Sequence, residues 1–148
     1  MPQTRVYVPL DPAGVATLRH GGSIGPPPIP AHAVTSRQGR PGLTTDVEEL
    51  EHAAWSAAAA AAGGRVSGHA PRVVASADVD SGDVVEVGGP EATEVRVRAP
   101  VALRDVVSFH VDEVPGGPDR DLLWFDVTEL DDVLALVESR GPVTRRHP

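Results

Sequence analysis

RVVASADV (Arg72–Val79) is the stretch around which the rest of the chain can be arranged. It opens with a continuous apolar run, and valine favours strands because its branched side chain is stiff and packs well on a pleated surface. An apolar run without polar alternation is typical of a strand that is covered on both faces. The sequence therefore predicts an interior strand at this position.

Six more stretches, on both sides of this one, have the composition of strands. Each is rich in β-branched, aromatic or leucine residues, and most are bounded by glycine, proline or aspartate. In chain order they are residues 5–9, 31–35, 84–87, 93–98, 107–111 and 122–127. Gly88, Gly89 and Pro90 separate the third stretch from the fourth, which predicts a hairpin.

Three helices are predicted from capping residues and apolar spacing. The first follows Asp11, the second begins with a capping box of Thr45 and Glu48, and the third begins at Thr128 with Asp131 three residues later. Each is ended by glycine, at Gly21–Gly22, Gly63–Gly64 and Gly141–Pro142 respectively.

Helices and strands do not alternate regularly along the chain, which argues against a doubly wound parallel sheet. The sequence predicts a single α+β domain over residues 1–142, a mixed β-sheet with about three helices packed on it. A chain of 148 residues suits one such domain. Residues 143–148 are predicted to form a flexible C-terminal tail.

The composition restricts the classes of function. The formal net charge is −8, and all 13 basic residues are arginine. A negative field repels phosphate backbones and anionic membranes, so neither nucleic acid nor a membrane is an expected partner. Cysteine is absent, which removes disulfides and thiolate sites. Without a signal-peptide pattern at Met1–Arg5, or an apolar run of about 20 residues, the expected location is the cytoplasm.

His110 and Asp112 are the first candidates for chemistry. Strand side chains repeat every two residues, so both are expected on one face, with Phe109 and Val111 on the other. A carboxylate near a histidine stabilises the imidazolium, and such a pair can act as a general base. The same pattern also fits any strand with a polar, solvated face, and both interpretations stay open.

Glu51 is a further candidate. It lies near the apolar stripe of the long helix, between Val47 and Trp55. If it is buried it needs a partner, such as an arginine from the strands, and it is then an acid of functional interest. The alternative is a glutamate at the edge of the stripe whose carboxylate reaches water.

Neither a cofactor site nor a metal site is predicted. Asp78, Asp80 and Asp83 resemble a calcium loop, but Gly82 and Gly89 fall at the wrong positions for one. The six histidines have no zinc-like spacing. The glycine pairs lack the other residues of phosphate-binding loops, and no serine lies in a nucleophile elbow.

Five segments, spread over most of the chain, resemble segments that occur in the same order in other proteins. They are RVYVPL (5–10), AHAVT (31–35), EELEHAA (48–54), VVSFHVDE (106–113) and LLWFDVTEL (122–130). Together they resemble an uncharacterised family of small actinobacterial proteins, a domain of unknown function. The resemblance implies an intracellular bacterial protein with one α+β domain, and it supplies no catalytic residue.

Three classes of function remain compatible with the sequence: a protein-interaction module, a small enzyme or ligand-binding domain, and an RNA-associated protein. Without an assembled catalytic motif, the acidic charge and exposed strands favour a non-catalytic protein-interaction or regulatory module with a protein partner. The alternative is a small enzyme or ligand-binding domain near His110 and Asp112, which requires a pocket with converging polar groups. An RNA-associated protein would need Arg96, Arg98 and Arg104 to form a local positive face.

Overall fold

The computed structural model describes residues 2–35, 47–65, 71–88, 93–112 and 122–139. These residues contain nine strands and three α-helices, joined by loops and short 3-10 turns. The strands are β1 (Gln3–Leu10), β2 (Ser23–Ile24), β3 (Ile29–His32), β4 (Val73–Asp80), β5 (Val84–Glu86), β6 (Glu94–Val97), β7 (Val101–Ala102), β8 (Val106–Asp112) and β9 (Leu122–Asp126). The helices are α1 (Pro12–Gly21), α2 (Val47–Arg65) and α3 (Leu130–Ser139). The predicted α+β class is confirmed. None of the described helices is long and apolar enough to cross a bilayer.

Strand β4 lies inside a seven-stranded sheet with the order β5-β6-β3-β1-β4-β8-β9. It pairs with β1 along its whole length, from Asp80 opposite Gln3 to Val73 opposite Leu10. On its other side it pairs with β8, where Val73 lies opposite Val111. The predicted interior position is therefore confirmed. Every described pairing in the sheet is antiparallel, including the predicted hairpin of β5 and β6.

The two faces of the sheet are covered differently. Helices α1 and α3 pack on one face over a large aliphatic core around Phe109, and Arg19 of α1 forms an ion pair with Asp131 of α3. Helix α2 packs on the opposite face through small residues, and the buried ones are Ala54, Ala58, Ala59 and Ala62. Because alanine has a short side chain, this part of α2 can approach the sheet closely.

A β-bulge in β8 separates its first residue from the rest. Ser108 lies opposite Ser76, but the next residue of β4, Ala77, lies opposite Val106. Val107 is therefore an extra residue without a partner on β4, as in a β-bulge. Val106 and Phe109 can then both face the core of α1 and α3.

Helix α1 begins and ends where the sequence predicts. Asp11 is extended, and its carboxylate accepts a hydrogen bond from the Gly14 amide at 2.7 Å. Gly22 ends the helix with a φ of 81°, in the left-handed region, and its amide donates to the Leu18 carbonyl. Glycine enters this region without the steric penalty of a Cβ.

Three predicted boundaries are corrected. Helix α2 does not end at Gly63–Gly64 but continues through both glycines to Arg65. The strand expected at 31–35 lies at Ile29–His32 and includes Pro30. Proline has no backbone N–H to donate to a neighbouring strand, and Pro30 is tolerated here because the pairing of β3 with β1 is limited to His32. The third helix is capped by Asp126, not Thr128: Asp126 has an extended backbone and forms a capping box with Glu129, whereas Thr128 already lies in the 3-10 turn before α3. Thr45, the Gly141–Pro142 stop and the predicted tail lie outside the described residues.

Candidate functional site

A groove of about 550 Å³ lies between the N-terminal half of α2 and the sheet. We call it the α2 groove. Its lining residues are Arg5, Tyr7, Glu51, His52, Trp55, Ser76, Ser108, His110, Leu122 and Trp124. Its volume falls within the range of small-molecule binding sites.

The sheet brings side chains from four strands to the floor of the groove. Tyr7 lies opposite Ser76, and Ser76 lies opposite Ser108, so these three form a row across β1, β4 and β8. Two residues further along β8, His110 lies opposite Trp124 of β9. Because alternate residues of a strand share a face, both rows lie under α2.

Trp55 and His110 contact each other between the helix and the sheet. Their ring centroids are 5.3 Å apart and their planes are inclined by 70°. His52, one turn earlier in α2, stacks on Trp55 at 5.9 Å. The Nε1 of Trp55 and the Nδ1 of His110 are both buried, and neither has a hydrogen-bond partner among the described residues. A buried polar group without a partner costs about 1–3 kcal/mol, so such groups call for an explanation.

The protonation state of His110 follows from its burial. Desolvation lowers the pKa of this imidazole below its ordinary value. The ring is therefore neutral at pH 7, and it can donate a hydrogen bond from one nitrogen and accept one at the other. At neutral pH, His110 adds hydrogen-bonding capacity to the groove without adding charge.

Three hydroxyl groups supply further capacity. The residues Tyr7, Ser76 and Ser108 are 8%, 2% and 5% exposed, and no hydrogen bond to any of their hydroxyls is formed within the described parts of the chain. Burial raises the pKa of the Tyr7 phenol, and the charge of Glu51 raises it further, while Arg5 acts in the opposite direction. Tyr7 therefore stays a neutral phenol at physiological pH.

Charged groups lie at one end of the groove. The Nε and Nη2 of Arg5 donate to the two carboxylate oxygens of Asp78, at 2.6 and 3.0 Å. This hydrogen bonding raises the pKa of Arg5. A smaller cavity of about 140 Å³ shares Arg5, Tyr7 and Glu51 with the groove and is completed by Thr4 and Val34.

Two of the three candidate residues from the sequence, His110 and Glu51, line the α2 groove. Asp112 does not line it. Its carboxylate is 1% exposed, accepts from the backbone amide of Arg72 at 2.7 Å, and accepts from Nη2 of the same arginine at 2.8 Å. Asp112 thus belongs to a buried ion pair that joins the ends of β4 and β8, and it does not orient the His110 ring.

Sequence reasoning did not select Tyr7, Trp55, Ser76, Ser108 or Trp124. A signal for two of them exists: Ser76 and Ser108 are small polar residues inside otherwise apolar strand segments. Their meeting with Trp55 depends on where α2 crosses the sheet, which no local pattern shows. No group of three or more metal-ligating side chains occurs within the described ranges.

The fold and the groove together define the class of protein: a small α+β domain with a polar groove between one helix and the sheet. In a comparison with known families, the model of a family of unknown function, DUF6912, matches residues 4–134. The chain belongs to this family, and the resemblance to an uncharacterised family is confirmed. The comparison with curated proteins found no match, and neither did the comparison with solved structures.

Proposed function

We propose that the protein is a ligand-binding domain that takes up a small polar molecule in the α2 groove. The observation that carries this proposal is a pair of buried nitrogens, Trp55 Nε1 and His110 Nδ1, in two residues that line the same groove. Neither nitrogen has a hydrogen-bond partner among the described residues. Because both atoms are buried, a ligand reaches them only when the two rings shift toward the groove. Accepting from the indole and bonding the imidazole would then remove both desolvation costs.

The surrounding groups support binding. Uncommitted hydroxyls of Tyr7, Ser76 and Ser108 converge on the same space, and a few polar groups in a partly apolar pocket are what fixes the orientation of a small ligand. Binding is favoured over catalysis because a nucleophile requires an adjacent base that is itself oriented. In the described part of the groove His110 bonds neither a serine nor a carboxylate.

The test is a fragment screen followed by two-dimensional NMR of the nitrogen-labelled protein. The chain has two tryptophans, so two indole N–H signals are expected, and the Trp124→Phe variant assigns them. Fragments that bind the groove should shift the Trp55 indole signal and lose affinity in His110→Phe. The matched control is His32→Phe, which changes a histidine outside the groove. Hits whose shifts lie away from the α2 groove, or an absence of hits, would contradict the proposal.

The protein-interaction module remains a second candidate, and one observation favours it. Strand β9 forms one edge of the sheet, with no further described strand beside it, and it carries Trp124, which is 60% exposed. An extended peptide could add to this edge through backbone hydrogen bonds. Affinity capture with the Trp124→Ala variant beside the natural protein tests this. Loss of one stoichiometric partner supports the module, and an unchanged set of captured proteins counts against it.

The cytoplasmic location and the actinobacterial source are part of the same proposal. They rest on the resemblance of the five sequence segments to small actinobacterial proteins, which implies an intracellular bacterial protein. Arg96 and Arg98, considered for RNA binding, are engaged locally with Glu94 and the Gly82 carbonyl. These contacts leave less of their charge for a phosphate backbone, which keeps RNA outside the proposal.

A further inference from the structure

The charges at one end of the α2 groove define the class of ligand, on the premise that the groove binds a small molecule as proposed above. We propose that the ligand is an organic monocation. Its amine lies against Glu51 and Tyr7, and an uncharged hydrogen-bond acceptor elsewhere in the molecule receives the indole N–H of Trp55.

The first argument is the balance of formal charge. Arg5 is the one cationic side chain among the described lining residues, and both carboxylate oxygens of Asp78 already accept hydrogen bonds from it. The carboxylate of Glu51 forms no ion pair within the described ranges. Counting Arg5 as +1 and Asp78 and Glu51 as −1 each leaves a net charge of −1. A monocation neutralises this end of the groove.

The second argument is the chemistry beside Glu51. Only 8% of the surface of Tyr7 is exposed. Together with Glu51, Tyr7 lines both the groove and the smaller adjoining cavity. The electron-rich face of an aromatic ring attracts an ammonium group, and a phenol oxygen can accept a hydrogen bond from it. The two side chains together form a site that suits a compact amine.

The third argument excludes the opposite charge. The overall charge of −8 repels anions and attracts cations during approach. An anion in the groove would lie near Glu51 and would have to compete with Asp78 for Arg5. His110 is a neutral imidazole at pH 7 and offers no compensating charge. The ligand end near Trp55 and His110 therefore carries no negative charge.

The experiment compares three probes of equal size that share a carboxamide acceptor. They are para-(aminomethyl)benzamide as the cation, para-(hydroxymethyl)benzamide as the neutral probe and para-carbamoylbenzoate as the anion. Each is titrated into the full chain at about pH 7, with the Trp55 indole signal as the readout. The cation is expected to bind about tenfold more tightly than the neutral probe, and the anion more weakly than both.

Glu51→Gln is the decisive variant, because it removes the charge and keeps the shape. It should bring the affinity for the cation down about tenfold, to that of the neutral probe, whose own affinity should not change. Glu49→Gln, an exposed glutamate on the same helix outside the groove, is the matched control and should leave all three affinities as they are.

The outcomes separate this inference from the proposed function. If the fragments of the screen bind at Trp55 but the cation has no advantage, or if Glu51→Gln leaves its affinity unchanged, the ligand class is wrong and the binding function stands. If neither the fragments nor any of the three probes shifts the Trp55 indole signal, both proposals are overturned.

Discussion

The indole of Trp55 and the imidazole of His110 meet at 70° with their centroids 5.3 Å apart, and each ring buries a nitrogen that no described residue bonds. Edge-to-face contacts of this kind are favourable by about 0.5–1.5 kcal/mol. The unbonded nitrogens act against that gain. The unbonded nitrogens of this contact therefore lower the free energy of unfolding of the free protein, and such local losses of stability are typical of functional sites.

Replacing His110 with phenylalanine should stabilise the free protein. The ring contact with Trp55 is kept while the unbonded Nδ1 is removed, so the free energy of unfolding should rise by about 1 kcal/mol. Urea denaturation followed by tryptophan fluorescence measures this change.

His32→Phe is the matched control for that prediction. His32 is also partly buried, but its Nδ1 lies 2.8 Å from the Thr93 hydroxyl, in hydrogen-bond contact. The same substitution should here lower the free energy of unfolding by about 1 kcal/mol. Equal destabilisation by both substitutions would mean that the His110 nitrogen has a partner in solution.

The stability of the protein should fall as the pH is lowered through the range in which a free histidine titrates, about 6.5. Burial lowers the pKa of His110 in the folded state, whereas in the unfolded chain it is about 6.5. Below pH 6.5 the unfolded state takes up a proton that the folded state does not, and the free energy of unfolding decreases until the folded pKa is passed.

His32 contributes to this pH dependence in the same direction, since burial also lowers its pKa. The slope should therefore be reduced in His110→Phe and reduced further when His32→Phe is added. Proton NMR of the imidazole signals gives each pKa directly. A His110 that titrates at 6.5 or above would contradict the assignment.

Tyr7 should ionise above pH 10, and Glu51 should be part of the reason. Burial is the larger cause of its raised pKa and the charge of Glu51 the next. The chain contains a single tyrosine, so near-ultraviolet absorbance follows this one phenol. Glu51→Gln should move the midpoint down without returning it to that of the unfolded chain, about 10. An unmoved midpoint would place Glu51 too far from Tyr7 for the proposed amine site, and Glu49→Gln serves as the control.

Two ion pairs of the sheet, Arg72–Asp112 and Arg5–Asp78, should differ strongly in their contribution to stability. Asp112 is 1% exposed and pairs with Arg72, so Asp112→Asn removes the carboxylate charge that faces a largely buried guanidinium and should cost about 3–5 kcal/mol. Asp78 is about one-third exposed beside Arg5, and Asp78→Asn should cost about 1 kcal/mol or less.

A double replacement of Arg72 and Asp112 by leucine tests the reason for that difference. With both charges gone, most of the stability lost in Asp112→Asn should return. Urea denaturation of the variants gives the comparison. A double variant as unstable as Asp112→Asn would show that the carboxylate acts mainly through its bond to the Arg72 amide.

Elements with a strong local signal were predicted well from the sequence. The Asp11 cap, the apolar start of β4 and the β5–β6 hairpin each depend on residues near one another in the chain. The sequence pattern puts the cap of α3 two residues late because Asp126 and Thr128 are both good capping residues, and the backbone conformation decides between them.

The site was only partly predictable, for a physical reason. Alternation placed His110 and Asp112 on the same strand face, but it could not show that Arg72, 40 residues earlier, binds Asp112. Nor could it show that Trp55 lies over His110, since this requires the position of α2 on the sheet. The groove is built from tertiary contacts, and these leave little trace in local patterns.

The bulge at Val107 lets β8 place His110 under α2 and, independently, place Val106 in the core on the opposite face of the sheet. The residues from Ser108 onward keep their alternation with β4 and β9, which holds His110 under α2. Val106 can face the opposite core although it lies two residues before Ser108, because the extra residue resets the alternation. Deleting Val107 would place Val106 and Ser108 next to each other with their side chains already on opposite faces. The segment that leads into β8 can therefore change in length by one residue at this point while the floor of the groove stays in register.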